Sequence, residues 1–166
     1  MDTATAVLAD IRDAFSLQRS LAERAIAQLD ATDLFRTAGD DANSIAVLMK
    51  HIGGNLRSRW TEPFTTDGEK PDRDRDSEFI IESDDASSVR GVWDRGWSVL
   101  DATLVAMTPS DLQRTVTIRG EPGTATKALV RSLAHTSQHV GQIILLARQW
   151  KGADWQTLSI PRAPRA

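Results

Sequence analysis

The chain has 166 residues, of which 40% are hydrophobic and 26% charged, a composition typical of one globular domain and not of a disordered or fibrous protein. Its net charge of -3 gives no sign of the clustered positive excess that nucleic-acid binding requires. The absence of cysteine excludes disulfides, thiolate metal sites and cysteine nucleophiles. We therefore expect a single domain over residues 1–166, in which nitrogen and oxygen atoms hold any metal ion.

The N-terminal segment MDTATAVLADIRDAF has neither the basic start nor the continuous apolar stretch of a signal peptide. No apolar run approaches the roughly 20 residues that a membrane-spanning helix needs. These features predict a cytoplasmic protein that has no membrane and no nucleic acid among its partners.

Four stretches repeat apolar residues at helical spacing, and most turn-forming residues lie between them. The predicted helices run from about Thr3 to Leu29, from an N-cap at Asn43 or Ser44 to near Trp60, from about Ser83 to just before Pro109, and from Thr124 to about Trp150. Helices of this size are about 27–40 Å long at a rise of about 1.5 Å per residue. The pattern predicts an all-α four-helix bundle with long connections after the second and third helices.

Two features lie in these long connections. Residues 67–78, DGEKPDRDRDSE, carry nine charges in twelve positions. They form either a solvated loop with local salt bridges or a lid at the rim of a pocket at the end of the bundle. Residues 115–120 alternate like a strand and predict a short hairpin at the periphery.

The chain has three histidines, and their placement is its sharpest functional signal. His135 and His139 are four residues apart in the fourth predicted helix, which places both imidazoles on one face. His51 lies midway along the second predicted helix among apolar residues. Three neutral imidazoles from two facing helices leave coordination positions open, which is how catalytic metal sites are built.

A histidine in an amphipathic helix is also compatible with an ordinary, partly buried polar residue or a surface residue. The spacing beside the core stripe favours a metal site over that alternative. The pattern His-Glu-x-x-His is absent, because Ala134, Thr136, Ser137 and Gln138 supply no carboxylate beside the pair. A zinc peptidase is therefore disfavoured.

Two amides and a glycine pair accompany the histidines. Asn55 lies one turn beyond His51, and Gln142 lies one turn beyond His139. Each amide is a candidate for orienting an imidazole or binding a ligand, and each is equally compatible with an ordinary hydrogen bond. Gly53-Gly54 in a helix interior costs about 1 kcal/mol per glycine relative to alanine. Close helix packing or space beside His51 should offset that cost.

Five segments span nearly the whole chain and carry a family resemblance: NSIA at 43–46, KHIGGNLRSRW at 50–60, TDGEK at 66–70, HTSQHVGQI at 135–143 and WQTLSIP at 155–161. In these segments the chain resembles the DinB-like metalloprotein superfamily, in particular a short, uncharacterised bacterial branch. All three ligand positions of that superfamily hold histidine, and the sequence contains no further histidine.

The resemblance implies an up-down-down-up four-helix bundle that forms a homodimer. It also implies a divalent metal ion, nickel or zinc, held by His51, His135 and His139. Relatives in the superfamily include transferases and isomerases that depend on low-molecular-weight thiols, and metal-dependent hydrolases.

Our leading hypothesis from the sequence is a metal-dependent transferase that activates a low-molecular-weight thiol toward a small-molecule substrate. Because the chain has no cysteine, the thiol must come from a cofactor or the substrate. The first alternative is a hydrolase in which the ion activates water, with Asp67 or Glu69 as base if their loop folds over the site. The second is a non-catalytic dimeric module that binds a metal or a small molecule.

Overall fold

The computed structural model describes residues 2–160 and confirms the all-α bundle. Its main helices and strands are α1 (Thr3–Ile26), α2 (Ile45–Trp60), α3 (Ala86–Ala106), β1 (Thr115–Ile118), β2 (Glu121–Thr124) and α4 (Ala125–Lys151). Short 3₁₀ helices cover Ala31–Phe35, Asp76–Phe79, Pro109–Gln113 and Gly152–Asp154. Pro161, predicted as part of the closing motif, lies outside the described residues. Among the helices of residues 2–160, none is both long and apolar enough to cross a membrane.

Each main helix begins at a side chain that caps its free backbone N–H groups. Asp2, Ser44, Asp85 and Thr124 each accept a hydrogen bond from the backbone N–H three residues later. These caps confirm the predicted starts of α1, α2 and α4. The predicted start of α3 near Ser83 is wrong, because Asp85 is the capping residue and the helix begins after it.

Side-chain contacts fix the direction of each helix. Lys50 near the start of α2 forms a salt bridge with Asp84 just before α3. At the other end, the backbone carbonyl of Trp60 in α2 accepts a hydrogen bond from the hydroxyl of Thr103 near the end of α3. The second and third helices therefore run parallel. The fourth helix runs opposite to α2. The indole N–H of Trp60, at the end of α2, donates to Ser132, whereas His51, earlier in α2, contacts His135, which is farther along α4.

The first helix runs opposite to α3. Arg12 near the start of α1 donates to the carbonyl of Leu104, whereas Arg19, two turns later, pairs with Asp101. The order of directions is up, down, down, up, as the family resemblance implies. The parallel pair α2 and α3 requires the long connection of residues 61–85, which crosses the length of the bundle and carries the charged loop.

The core is densest where α2 crosses α3. Trp60, Trp93 and Trp97 are fully buried there. The backbones come so close that a Cβ atom on Gly53 would collide with the carbonyl of Val92, and one on Gly96 would collide with Gly53 itself. Close helix packing therefore offsets the cost of glycine at position 53.

Replacing Gly53 by alanine is expected to lower the free energy of unfolding by about 1–3 kcal/mol, the usual cost of forcing extra atoms into a packed core. Gly141 in α4 has open space around it and is the matched control. Gly141→Ala should raise stability by about 0.5–1 kcal/mol through helix propensity. Urea denaturation of both variants measures the difference. Equal stabilisation by both substitutions would contradict the close crossing of α2 and α3.

Candidate metal centre

The fold brings the three predicted histidines to one point between α2 and α4. The Nε2 atom of His135 lies 3.0 Å from Nε2 of His51 and 3.2 Å from Nε2 of His139. All three candidate ligand atoms lie within 4.8 Å of one another. His51 is buried, whereas His135 and His139 are partly exposed. The cluster therefore has a closed side toward the core and an open side toward solvent.

In His51 and His139, the ring nitrogen that faces away from the cluster, Nδ1, forms a hydrogen bond with a neighbouring side chain. His51 Nδ1 is 2.8 Å from Glu78 Oε2, and His139 Nδ1 is 2.8 Å from Gln142 Oε1. An ionised carboxylate and an amide oxygen only accept hydrogen bonds, so in neutral rings they place the proton on Nδ1. The Nε2 lone pairs of His51 and His139 then face the common point.

A shared cation fits this arrangement better than hydrogen bonds between the rings do. A neutral His135 donates from Nε2 to at most one neighbour, so one of the two short N···N contacts would bring two lone pairs face to face. Metal–nitrogen bonds of about 2.0–2.1 Å place neighbouring ligand nitrogens roughly 2.8–3.4 Å apart at octahedral or tetrahedral angles. The observed separations of 3.0 and 3.2 Å lie in that range. The donor set therefore fits a divalent ion.

Glu78 is the functional residue that the sequence analysis missed. Its carboxylate binds His51 through one oxygen and Arg73 through both, with Arg73 Nε 2.8 Å from Oε1. The side chains of Arg73 and Glu78 are only 5% and 8% exposed. Gly54 makes room for this carboxylate, because a Cβ at that position would collide with it. The space expected beside His51 is thus occupied by Glu78.

These contacts decide between the two interpretations of the charged loop. Asp72, Asp74 and Asp76 are exposed, as a solvated loop predicts. Arg73 and Glu78 instead fold inward against α2 and support the histidine cluster. The loop is therefore part of the site, and the interpretation as a purely solvated segment is wrong.

Burial and neighbouring histidines lower the pKa of two of the three rings, His135 and His139, and so favour their uncharged forms. Burial and the neighbouring histidines lower the pKa of His135 from 6.5 to about 4. Burial also lowers the pKa of His139, although its hydrogen bond with Gln142 partly offsets that effect. For Glu78, burial raises the pKa, but the hydrogen bonds from His51 and Arg73 outweigh burial and hold it below its usual value. Neutral imidazoles beside an ionised carboxylate are the protonation states that metal ligation requires.

A cavity of about 160 Å³ opens beside the histidines, and its wall includes His51, Asn55 and His135. Asn55 thus faces the cavity, as expected for a ligand-binding amide, whereas Gln142 orients His139. The hairpin of β1 and β2 supplies Val116, Thr117, Ile118 and Arg119 to the same wall. The expectation that this hairpin is peripheral is therefore wrong.

Asp67 and Glu69, the bases considered for a hydrolase, have other partners. The Asp67 carboxylate accepts the backbone N–H groups of Glu69, Arg119 and Gly120, and these bonds lower its pKa. Glu69 accepts from Arg59, Arg73 and Arg119. Burial raises the pKa of Glu69, but the bonds from Arg59 and Arg119 prevail and lower it to about 2. Both carboxylates brace the loop against the hairpin and are poor proton acceptors at neutral pH.

Among residues 2–160, the group of metal-binding side chains close enough to share one ion consists of the three histidines. A family model described as "Protein of unknown function (DUF1572)" matches residues 2–164. No curated protein sequence matches the chain. The match covers the histidine cluster, the charged loop and the hairpin together.

The metal-free protein should lose stability as the pH falls from 7 to 5. The pKa of His135 is about 4 in the folded chain and near 6.5 when unfolded, so in this window the unfolded state binds a proton that the folded state does not. Thermal unfolding after chelator treatment, measured across this pH range, gives the slope. His135→Asn removes this titration and should flatten the slope. An unchanged slope in that variant would show that His135 is not the group responsible.

Proposed function

The chain belongs to the family described as "Protein of unknown function (DUF1572)", whose model matches residues 2–164, and we propose a function for its histidine cluster. We propose that the protein is a DinB-like, divalent-metal-dependent transferase that acts on a low-molecular-weight thiol. His51, His135 and His139 hold the ion, and the adjoining cavity receives the small-molecule substrate.

The convergence of the three Nε2 atoms carries this proposal. Structural zinc sites use four protein ligands, whereas catalytic sites use three and leave the remaining positions for solvent or substrate. This cluster has three, and two of them, His51 and His135, line a cavity. An open position beside a cavity favours an enzyme over the alternative of a closed, non-catalytic binding module.

Imidazole ligands suit borderline ions, and we propose nickel or zinc as the resident metal. With three neutral ligands, either ion keeps its full charge of about +2 and so favours an anionic partner such as a thiolate at neutral pH. Glu78 and Gln142 keep the His51 and His139 rings in the ligating orientation. Trp60, Val116 and Ile118 give part of the cavity wall an apolar surface.

Transfer to a thiol is favoured over hydrolysis by the state of the nearby carboxylates. Activation of water by a metal site is assisted by a general base near the nucleophile. Asp67 and Glu69 are engaged by backbone N–H groups and arginines, and Glu78 is engaged by His51 and Arg73. An external thiol that ionises at the metal does not require such a base.

The metal assignment is tested by elemental analysis of untagged protein. His135→Ala should lose most of the bound metal, because two nitrogens cannot replace the three-ligand site. Glu78→Gln keeps the shape but weakens the support of His51, and its metal affinity should fall about 10–100-fold. Ser137→Ala, in the same turn of α4 as His135, is the matched control and should retain full metal content. Equal metal content in His135→Ala and Ser137→Ala would remove His135 as a ligand.

The reaction class is tested by incubating metal-loaded protein with an aryl halide electrophile, with and without a panel of small thiols. A transferase should form thioether products only when a thiol is present, and mass spectrometry detects them. His139→Ala should abolish turnover, because it removes a proposed ligand. Thiol-independent breakdown of ester substrates by the metal-loaded protein, without thioether formation, would support the hydrolase instead.

A further inference from the structure

Arginines are concentrated around the cavity of a protein whose net charge is -3. Five of them line it: Arg59, Arg73, Arg75, Arg119 and Arg131. We propose that this cavity binds a small organic anion, whose negative group lies between Arg119 and Arg131 and whose apolar body lies against the hairpin. This inference rests on the proposed function, because it assigns the substrate class of the same site.

Two of the arginines are structural. The guanidinium of Arg73 donates hydrogen bonds to Glu78 and Glu69, and the Arg73 side chain is 5% exposed. Arg59 donates to the carbonyl of Gly68 and to Glu69, and its side chain is 12% exposed. Both hold the charged loop against the bundle. Glu78 balances the charge of Arg73, whereas the charge of Arg59 is balanced only in part, since Glu69 is shared among three arginines.

Arg119 is held at the cavity by the turn of the hairpin. It is the first of the two residues between β1 and β2, and its φ of 56 is the positive value that tight two-residue hairpin turns favour. Asp67 stabilises the turn by accepting the N–H groups of Arg119 and Gly120. The Arg119 side chain is 58% exposed and uses Nε for Glu69, while its two terminal nitrogens have no hydrogen-bond partner among residues 2–160.

Arg131 approaches the cavity from the opposite element. It lies four residues before His135 on α4, so Arg131, His135 and His139 follow one another along the same face of the helix. Arg131 forms no hydrogen bond or ion pair within the described part of the chain, and it is exposed. Its charge is therefore available to a ligand that also reaches the histidines.

The rest of the wall indicates an organic anion over an inorganic one. Trp60, Val116 and Ile118 give the cavity an apolar surface beside the arginines. A volume of about 160 Å³ suits a small molecule. Arginine recognises carboxylate and phosphate oxygens through paired N–H donors, so the shared chemistry is an oxyanion on a compact apolar group.

Isothermal titration of the full chain with benzoate, phenylphosphonate and benzamide tests this inference. The protein is first freed of metal, so that binding to the ion does not contribute. Wild type should bind the two anions at least about tenfold more tightly than the neutral benzamide, since charge-assisted hydrogen bonds are roughly twice as strong as neutral ones. Whichever of benzoate and phenylphosphonate binds more tightly shows whether the substrate carries a carboxylate or a phosphate-type group.

Variants then locate the binding group. The double variant Arg119→Gln/Arg131→Gln should lose about tenfold in affinity for the preferred anion. Arg131→Gln alone should lose about threefold, since the Arg131 side chain forms no hydrogen bond or ion pair within residues 2–160 that its loss would disturb. Arg148→Gln removes an exposed charge elsewhere on α4 and should bind like wild type. All three variants should bind Zn²⁺ as wild type does.

The inference is overturned if benzamide binds as tightly as the anions, if wild type binds neither anion, or if the double variant keeps wild-type affinity. Failure of the metal proposal has a different signature. In that case wild type would not bind Zn²⁺, while arginine-dependent anion binding would remain intact and would still support an anion pocket.

Discussion

Three imidazole nitrogens facing one point constrain the rest of this structure. The Nε2 atoms lie 3.0 and 3.2 Å apart, and His135 can donate a hydrogen bond to only one of its two neighbours. Without a cation the other contact sets two lone pairs against each other, so the chain must supply the energy that holds the rings together. The antiparallel packing of α2 and α4, the Gly53–Gly96 crossing of α2 and α3, and the buried Glu78 carboxylate supply it. Of these features, the Glu78 carboxylate fixes the orientation of the His51 ring directly, through Nδ1.

The charged loop shows how an apparently solvent-facing segment becomes part of a site. Arg73 and Glu78 neutralise each other at low exposure, and each also satisfies a second partner, Glu69 or His51. A buried ion pair is tolerated when its remaining hydrogen bonds are satisfied. The same network connects the histidines to the hairpin through Glu69 and Arg119. One continuous hydrogen-bond network therefore links the histidine cluster to the cavity wall.

Charge is distributed unevenly over the molecule. The chain as a whole carries -3, yet the cavity beside the histidines is lined by five arginines. Arg119 and Arg131, which both keep side-chain donors without a hydrogen-bond partner within residues 2–160, lie on different elements that meet only in the folded chain. The positive charge around the cavity cannot be inferred from the net charge, because the net charge sums over surfaces that face different directions.

The sequence by itself determined the helices, most of their caps and the identity of the three histidines. These are local properties: apolar periodicity, N-cap chemistry, and a four-residue spacing that puts His135 and His139 on one face of α4. Only the tertiary structure decided what surrounds them. Glu78 meets His51 across 27 residues, and His51 meets His135 across 84, through contacts that no spacing rule encodes. Long-range pairing depends on how helices pack and loops close, and that is settled by the whole core at once.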